Sequence, residues 1–163
     1  MEGTLAAQVL AGLKLDASNL RKSIAETQNP AVLEAKTETE EEASSILNGF
    51  LATLEAQRWV ESARFLATDA QFIDWAGKRW QGRVEIEKQF AELFVPYAKR
   101  DTSFRMESVA CGPAFCAVAS VLWENVTVPG ANAKATHRMM MVLVQEDREW
   151  AILLLQITPV VIA

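Results

Sequence analysis

Beyond about residue 100 the hydrophobic period of the chain becomes two, and this change constrains the fold more than any other feature. Phe104, Met106, Ser108 and Ala110 alternate with Arg105, Glu107 and Val109, the pattern of a half-buried strand. Gly112-Pro113 and Pro129-Gly130 punctuate the region, and Gln145–Arg148 is a polar turn. Between these breaks lie three more β-type runs: Phe115–Val128, Thr136–Glu146 and Trp150–Ile162. Four long strands joined by short loops predict an antiparallel meander.

The preceding half reads as helical. Ala43, Ile46, Leu47, Phe50, Leu51 and Leu54 form one apolar stripe. Thr39 and Glu42 stand at capping-box spacing, which predicts a helix over about 40–57. A shorter helix is expected near Trp59, Val60, Ala63 and Leu66, ended by Thr68-Asp69. The acidic run from Glu34 to Glu42 reads as a solvated helix start or linker. Residues 1–35 read as a separable helical extension, with Leu5, Val9, Leu13, Leu20 and Ile24 at loose helical spacing and a break at Asn29-Pro30.

Residues 72–83 join the two halves. Ala70–Trp75 is a short strand, Ala76-Gly77-Lys78 a turn and Arg79-Trp80-Gln81 the returning strand. Gly82 ends this hairpin, and Ile86, Phe90, Leu93, Phe94 and Tyr97 predict a helix over about 83–99. Helices, a hairpin, a helix and a meander make an α+β domain. A curved antiparallel sheet closed over its helices, with residues 36–163 as one domain, is expected to leave a cavity at its open end.

Composition narrows the function classes. A net charge of −5 over 163 residues argues against non-specific nucleic-acid binding, which needs a basic face. No apolar run approaches the roughly 18 residues of a membrane span. The beginning Met1-Glu2-Gly3-Thr4 lacks a basic signal-peptide region, so a cytoplasmic protein is expected. Cys111 and Cys116 lack metal-site spacing and are expected to be thiols in a reducing compartment. There is no phosphate loop, dinucleotide glycine pattern or nucleophile elbow, and no cofactor or metal is expected.

The order Phe72, Asp74, Gly77, Gly82-Arg83, Ile86, Phe90, then Trp123, then Trp150-Ala151-Ile152 and the ending Gln156-Ile157-Thr158-Pro159 resembles the nuclear transport factor 2-like superfamily. The likeness is to its SnoaL-like bacterial members in particular, and it spans about residues 40–160. It implies a cone fold with an internal pocket, and dimerisation through the outer face of the sheet. The last strand suits that role, because Trp150, Ile152 and Leu154 on one parity and Ala151, Leu153 and Leu155 on the other are all apolar. Members include isomerases, dehydratases, cyclases and non-catalytic binding domains, so the resemblance leaves enzyme and binding module both open.

Asp74 and His137 are the candidate acid/base residues. A carboxylate at the rim of an apolar pocket has its pKa raised by burial and can serve as a base, as in ketosteroid isomerases on a similar fold. The structural alternative is an Asp that stabilises the turn before Ala76-Gly77, or one paired with Arg79 or Arg83. His137, the single histidine, is a pocket base or donor, or else a strand-end residue bonded locally. If the two share one pocket, Asp74 should hold the imidazolium and raise the histidine pKa. Trp80, Phe90, Phe94, Tyr97, Trp123 and Gln156 are the candidate ligand-binding residues for a small apolar molecule. For the aromatic ones ordinary core packing is the alternative, and for Gln156 a water-facing strand end.

Overall fold

The computed structural model describes residues 30–94, 103–112, 116–127 and 134–160. The chain divides into two compact units, Met1–Glu38 and Thr39–Ala163. Most of the expected N-terminal extension, and Tyr97, lie outside the described residues.

Helix α1 spans Pro30–Glu55, so it begins earlier than the capping-box pattern at Thr39 suggests. Proline suits a first helical turn, because its missing N–H would lack an intrahelical partner there anyway. The acidic run is therefore part of the helix itself. Ala43, Leu47, Phe50, Leu51 and Leu54 are buried along one stripe, each large side chain contributing roughly 1.5–3 kcal/mol by leaving water. Gln57, in the left-handed region at φ 58°, ends the helical path. Gly49 leaves room for Phe65, since a Cβ there would stand 2.9 Å from that ring.

Helix α2 (Trp59–Ser62) and a 3-10 turn (Ala63–Phe65) follow. Strand β1 then runs Leu66–Ile73, longer than the sequence pattern implies. The reason is that Leu66 and Ala67 are buried as strand residues, although their spacing from Ala63 also suits a helix. Strand β2 is Arg79–Gln81 and helix α3 is Arg83–Phe94, which buries Ile86, Phe90 and Phe94. Gly82, at φ +88°, makes the sharp entry to α3 and donates its N–H to the Ala70 carbonyl at 2.8 Å.

The meander is β3 (Ser103–Gly112), β4 (Cys116–Thr127), β5 (Lys134–Glu146) and β6 (Glu149–Val160). The sheet order is β2-β1-β6-β5-β4-β3. All neighbours are antiparallel except β1 and β6, which run parallel. The sheet is thus mixed rather than wholly antiparallel, because the chain passes from β2 back to β6 through α3 and the whole meander. The β5–β6 turn uses Asp147 at φ 50° and Arg148 at φ 69°, the left-handed pair of a tight two-residue hairpin loop.

Register decides which side chains face the helices. Val109, Ala119, Met141, Leu155 and Phe72 align across five strands, and Met106, Val121, Met139 and Ile157 align next to them. From Ala119 to Phe72, and from Val121 to Ile157, these rows are buried. The opposite face carries the rows Val118–Val142–Leu154 and Ser120–Met140–Gln156. Cys111 aligns with Ala117 and Cys116 with Gly112. The two thiols therefore project from opposite faces of the hairpin, and neither is in a disulfide. No described helix is long and apolar enough to cross a membrane.

Candidate functional site

One end of the sheet gathers most of the chemistry. The row Phe104–Trp123–His137–Pro159 crosses β3, β4, β5 and β6 there, and β1 finishes at the same end, with Ile73 aligned to Gln156.

Asp74 follows β1 and is 6% exposed. Its Oδ1 accepts the backbone N–H of Ala76 at 2.9 Å and of Lys78 at 2.8 Å. Its own N–H donates to the Lys78 carbonyl, and its carbonyl accepts from Gly77, both at 3.0 Å. Gly77, at φ +80°, supplies the left-handed residue that a three-residue hairpin loop needs. Asp74 thus organises the turn, and the turn presents Trp75.

Trp75 lies over the aromatic end. Its ring centroid is 6.0 Å from His137, 6.3 Å from Trp123 and 6.4 Å from Phe94. Trp123 is the hub, 5.4 Å from His137, 5.6 Å from Phe94 and 5.7 Å from Phe104, on which it stacks with planes 14° apart. Phe94 also stacks on Trp59 at 5.1 Å.

His137 is 6% exposed, and its Nδ1 is buried with no hydrogen-bond partner among the described residues. An unmade bond at a buried nitrogen costs about 1–3 kcal/mol. Burial among rings disfavours the imidazolium and pushes the pKa below the usual histidine value of 6.5. His137 is therefore neutral at neutral pH, with one donor and one acceptor nitrogen. Asp74 and His137 stand at the same end of the sheet but are joined by no hydrogen bond or ion pair. The expected upward shift of the histidine gives way to a downward one, because desolvation by burial acts on the ring and Asp74 makes no ion pair with it.

The other candidates separate. Phe94 and Trp123 belong to the cluster. Trp80 stacks on Phe72 at 5.4 Å beneath Lys78, whose Nζ is 4.8 Å from the ring centroid. Phe90 meets Phe72 and Phe94 edge-on at 5.2 and 5.3 Å. Both serve the core between α3 and the sheet. Gln156 is exposed on the outer face. A register shift between Val142 and Leu143 leaves Leu153 without an opposite residue, which flips the parity of β6: Ile152 points inward, then Leu155 and Ile157 do. Trp150 sits at the far end of β6 and donates its Nε1–H to Glu42 Oε2 at 3.1 Å. It lines an open groove of about 460 Å³ with Ile46 and Arg148, away from His137.

Trp59 and Phe104 are members that sequence reasoning passed over. Phe104 had a signal in its inward parity on β3, whereas Trp59 reaches Phe94 only through the α2–α3 packing. Among the described residues no group of three His, Cys, Asp or Glu side chains could hold a metal ion.

The pH dependence of stability follows from His137. The unfolded imidazole takes up a proton near 6.5 and the folded one only at lower pH. Stability is therefore complete above about 6.5 and falls as the solution is acidified through the folded pKa. Urea midpoints measured across this window should decline in the native protein and stay level in His137→Phe. Equal declines in both would place the linkage elsewhere. Glu107 acts in a separate window below 4.5, because Arg138 first, and then Ser120, hold its carboxyl below that value.

No protein-family model matches the chain, and no curated protein matches it in sequence. Solved structures do match. A ketosteroid isomerase-like protein from Erwinia carotovora atroseptica superposes with a TM-score of 0.65 at 11% identity, covering 77% of this chain and 98% of its own. Aln2 from Streptomyces sp. gives 0.63 at 15%, covering 75% and 91%. A nuclear transport factor 2-like protein with a cystatin-like fold from Novosphingobium aromaticivorans gives 0.64 at 10%, covering 82% and 91%. Identities this low speak for architecture, and together with the strand order and the inward rows they lead to one conclusion: this chain has the nuclear transport factor 2-like fold.

Proposed function

We propose that the chain is a SnoaL-like small-molecule-binding domain whose site is the aromatic end around His137. The observation that carries this reading is the buried His137 Nδ1, without a partner among the described residues and beside Trp75 and Trp123. A protein seldom leaves such an atom unsatisfied, and a ligand group or water fills that need. Rings supply the apolar walls, and one polar atom orients the guest. The chemistry open to a neutral imidazole in dry surroundings is proton transfer on a carbonyl or hydroxyl compound, of isomerase, dehydratase or cyclase type. Asp74 is assigned the positioning of Trp75 rather than the proton itself.

The test uses the neutral fluorophore Prodan. Saturable binding with a blue-shifted emission is expected, weakened in Trp75→Ala and unchanged in Ile46→Ala at the opposite end. Absence of saturable binding, or equal loss in both variants, would leave the reading without support. The second reading is a non-catalytic module filled by its own side chains, favoured by the mutual stacking of Trp59 on Phe94 and of Phe104 on Trp123. It anticipates no Prodan binding at all.

We also propose homodimerisation through the outer face of the sheet. Val118 and Met140 are 43% and 37% exposed there, Val118 in the row of Val142 and Leu154 and Met140 in the row of Ser120 and Gln156. Arg138–Glu107 at 3.0 Å and Arg105–Glu124 at 3.4 Å flank them. Apolar centre and rim charges of both signs suit a two-fold contact between copies. Leu154 is the diagnostic residue, because it lies in the outward row with Val142 whereas Leu155 faces the core. Leu154→Glu should give monomer in sedimentation, and an unchanged oligomer or a monomeric native protein would refute the interface. The cytoplasmic placement belongs to the same proposal and is supported by the two thiols.

A further inference from the structure

We infer that the open groove between α1 and the β5–β6 turn binds a free α-amino acid with an apolar side chain. This site is separate from the His137 end, and the inference does not depend on the function proposed for that end.

The groove has a volume of about 460 Å³. Glu42, Ser45 and Ile46 line it from α1, and Arg148, Glu149 and Trp150 line it from the turn and the start of β6. That volume suits a small molecule. Its lining combines two carboxylates, one guanidinium and an apolar wall.

The Glu42 carboxylate is held in place from one side. Trp150 donates its Nε1–H to Glu42 Oε2 at 3.1 Å, and Gln145 donates from Nε2 to the same oxygen at 3.4 Å. Glu42 Oε1 has no donor among the described residues, and neither does the carboxylate of Glu149. An ammonium group brings N–H donors to such acceptors and carries the opposite charge.

The guanidinium belongs to Arg148. Glu146, Asp147 and Glu149 are its neighbours in the chain, and Glu42 lines the same groove. Among the described residues none of these acids forms an ion pair with it. The tight turn, with Arg148 at φ 69°, sets its backbone at the edge of the groove. Gln145 ties it there by donating from Nε2 to the Arg148 carbonyl at 3.4 Å. The planar fork of a guanidinium matches a carboxylate in two parallel hydrogen bonds.

Simple ions suit this lining poorly. An organic anion meets Glu42 and Glu149, and an organic cation meets Arg148. A guest with ammonium and carboxylate on one carbon answers both signs at once. Its side chain then lies on the apolar surface of Ile46 and Trp150. Glu42, Arg148 and Glu149 are exposed, so each ion pair alone is weak, and selectivity comes from satisfying both together.

The experiment titrates the full chain with leucine, 3-methylbutylamine and 4-methylpentanoate at neutral pH and low salt. The amine is leucine without its carboxylate, and the acid is leucine without its ammonium. The readout is the indole N–H resonance of Trp150, assigned by its loss in Trp150→Phe. Leucine should move it saturably and bind roughly fivefold more tightly than either singly charged probe, the factor that one favourable exposed ion pair supplies. In Arg148→Ala leucine should bind no better than the amine. In the double variant Glu42→Gln, Glu149→Gln it should bind no better than the acid. An amine or an acid that matches leucine on the native protein would overturn the proposal, because the groove would then answer to one sign of charge alone. A Trp150 resonance that leucine does not move saturably would overturn it as well. Both outcomes are read on the native protein, so they decide the matter even if a variant does not fold.

Discussion

Trp123→Ala is expected to lower the unfolding free energy by about 3–5 kcal/mol, the usual cost of emptying a large aromatic site in a core. The ring is 1% exposed and touches Trp75, Phe94, Phe104 and His137. These neighbours come from two strands, β3 and β5, the hairpin turn and α3. They cannot collapse together into the space, because each is held by its own element. A domain of ordinary stability has only about 5–15 kcal/mol to lose, so the urea midpoint should fall steeply with the slope little changed. Trp123→Phe keeps one ring and should recover part of the loss. A cost below about 1 kcal/mol for the alanine variant would mean that the ring lies in open space rather than in packed surroundings.

The second large effect separates acceptor geometry from charge at Asp74. Asp74→Ala should destabilise by about 2–3 kcal/mol, because the N–H groups of Ala76 and Lys78 lose the oxygen they share. Asp74→Asn retains a side-chain oxygen at that place and should cost much less. The alanine variant should also shift the indole N–H resonance of Trp75, whose turn loosens, while the asparagine variant leaves it in place. An asparagine variant as unstable as the alanine one would show that the negative charge, not the hydrogen-bond geometry, holds the turn. Prodan affinity should follow the same order, native and Asn alike and Ala weaker, as expected of a residue that acts through Trp75.

The meander was legible in the sequence because β3 alternates, as a strand half-exposed to water must, and because turn residues bound the β-type runs that became β4, β5 and β6. Helices α1 and α3 were legible for the matching reason: Ala43, Leu47, Phe50 and Leu54, and Ile86, Phe90 and Phe94, recur at the helical period that one buried face requires. The glycine pattern at Gly77 and Gly82 marked the hairpin and the start of α3, and both do adopt positive φ. β6 was legible as a strand but not in its facing. Its residues are apolar on both parities, so nothing in the order of amino acids announces the shift at Leu153 that turns Leu154 and Gln156 outward.

By itself, then, the sequence determined the elements and their class, because local periodicity and turn chemistry depend only on neighbours along the chain. It also nominated Asp74 and His137, since a lone acid in a hairpin and a lone histidine on a strand are visible without coordinates. Only the tertiary structure decided what they do. Whether a carboxylate holds a proton or a turn depends on which N–H groups reach it, and those of Ala76 and Lys78 arrive through the fold of the loop. Whether an imidazole is raised or lowered in pKa depends on what surrounds it. His137 is surrounded by Trp75 and Trp123, 62 and 14 residues away in the chain, brought together by strand register and by the placement of the hairpin turn on the sheet, a proximity that no local pattern encodes.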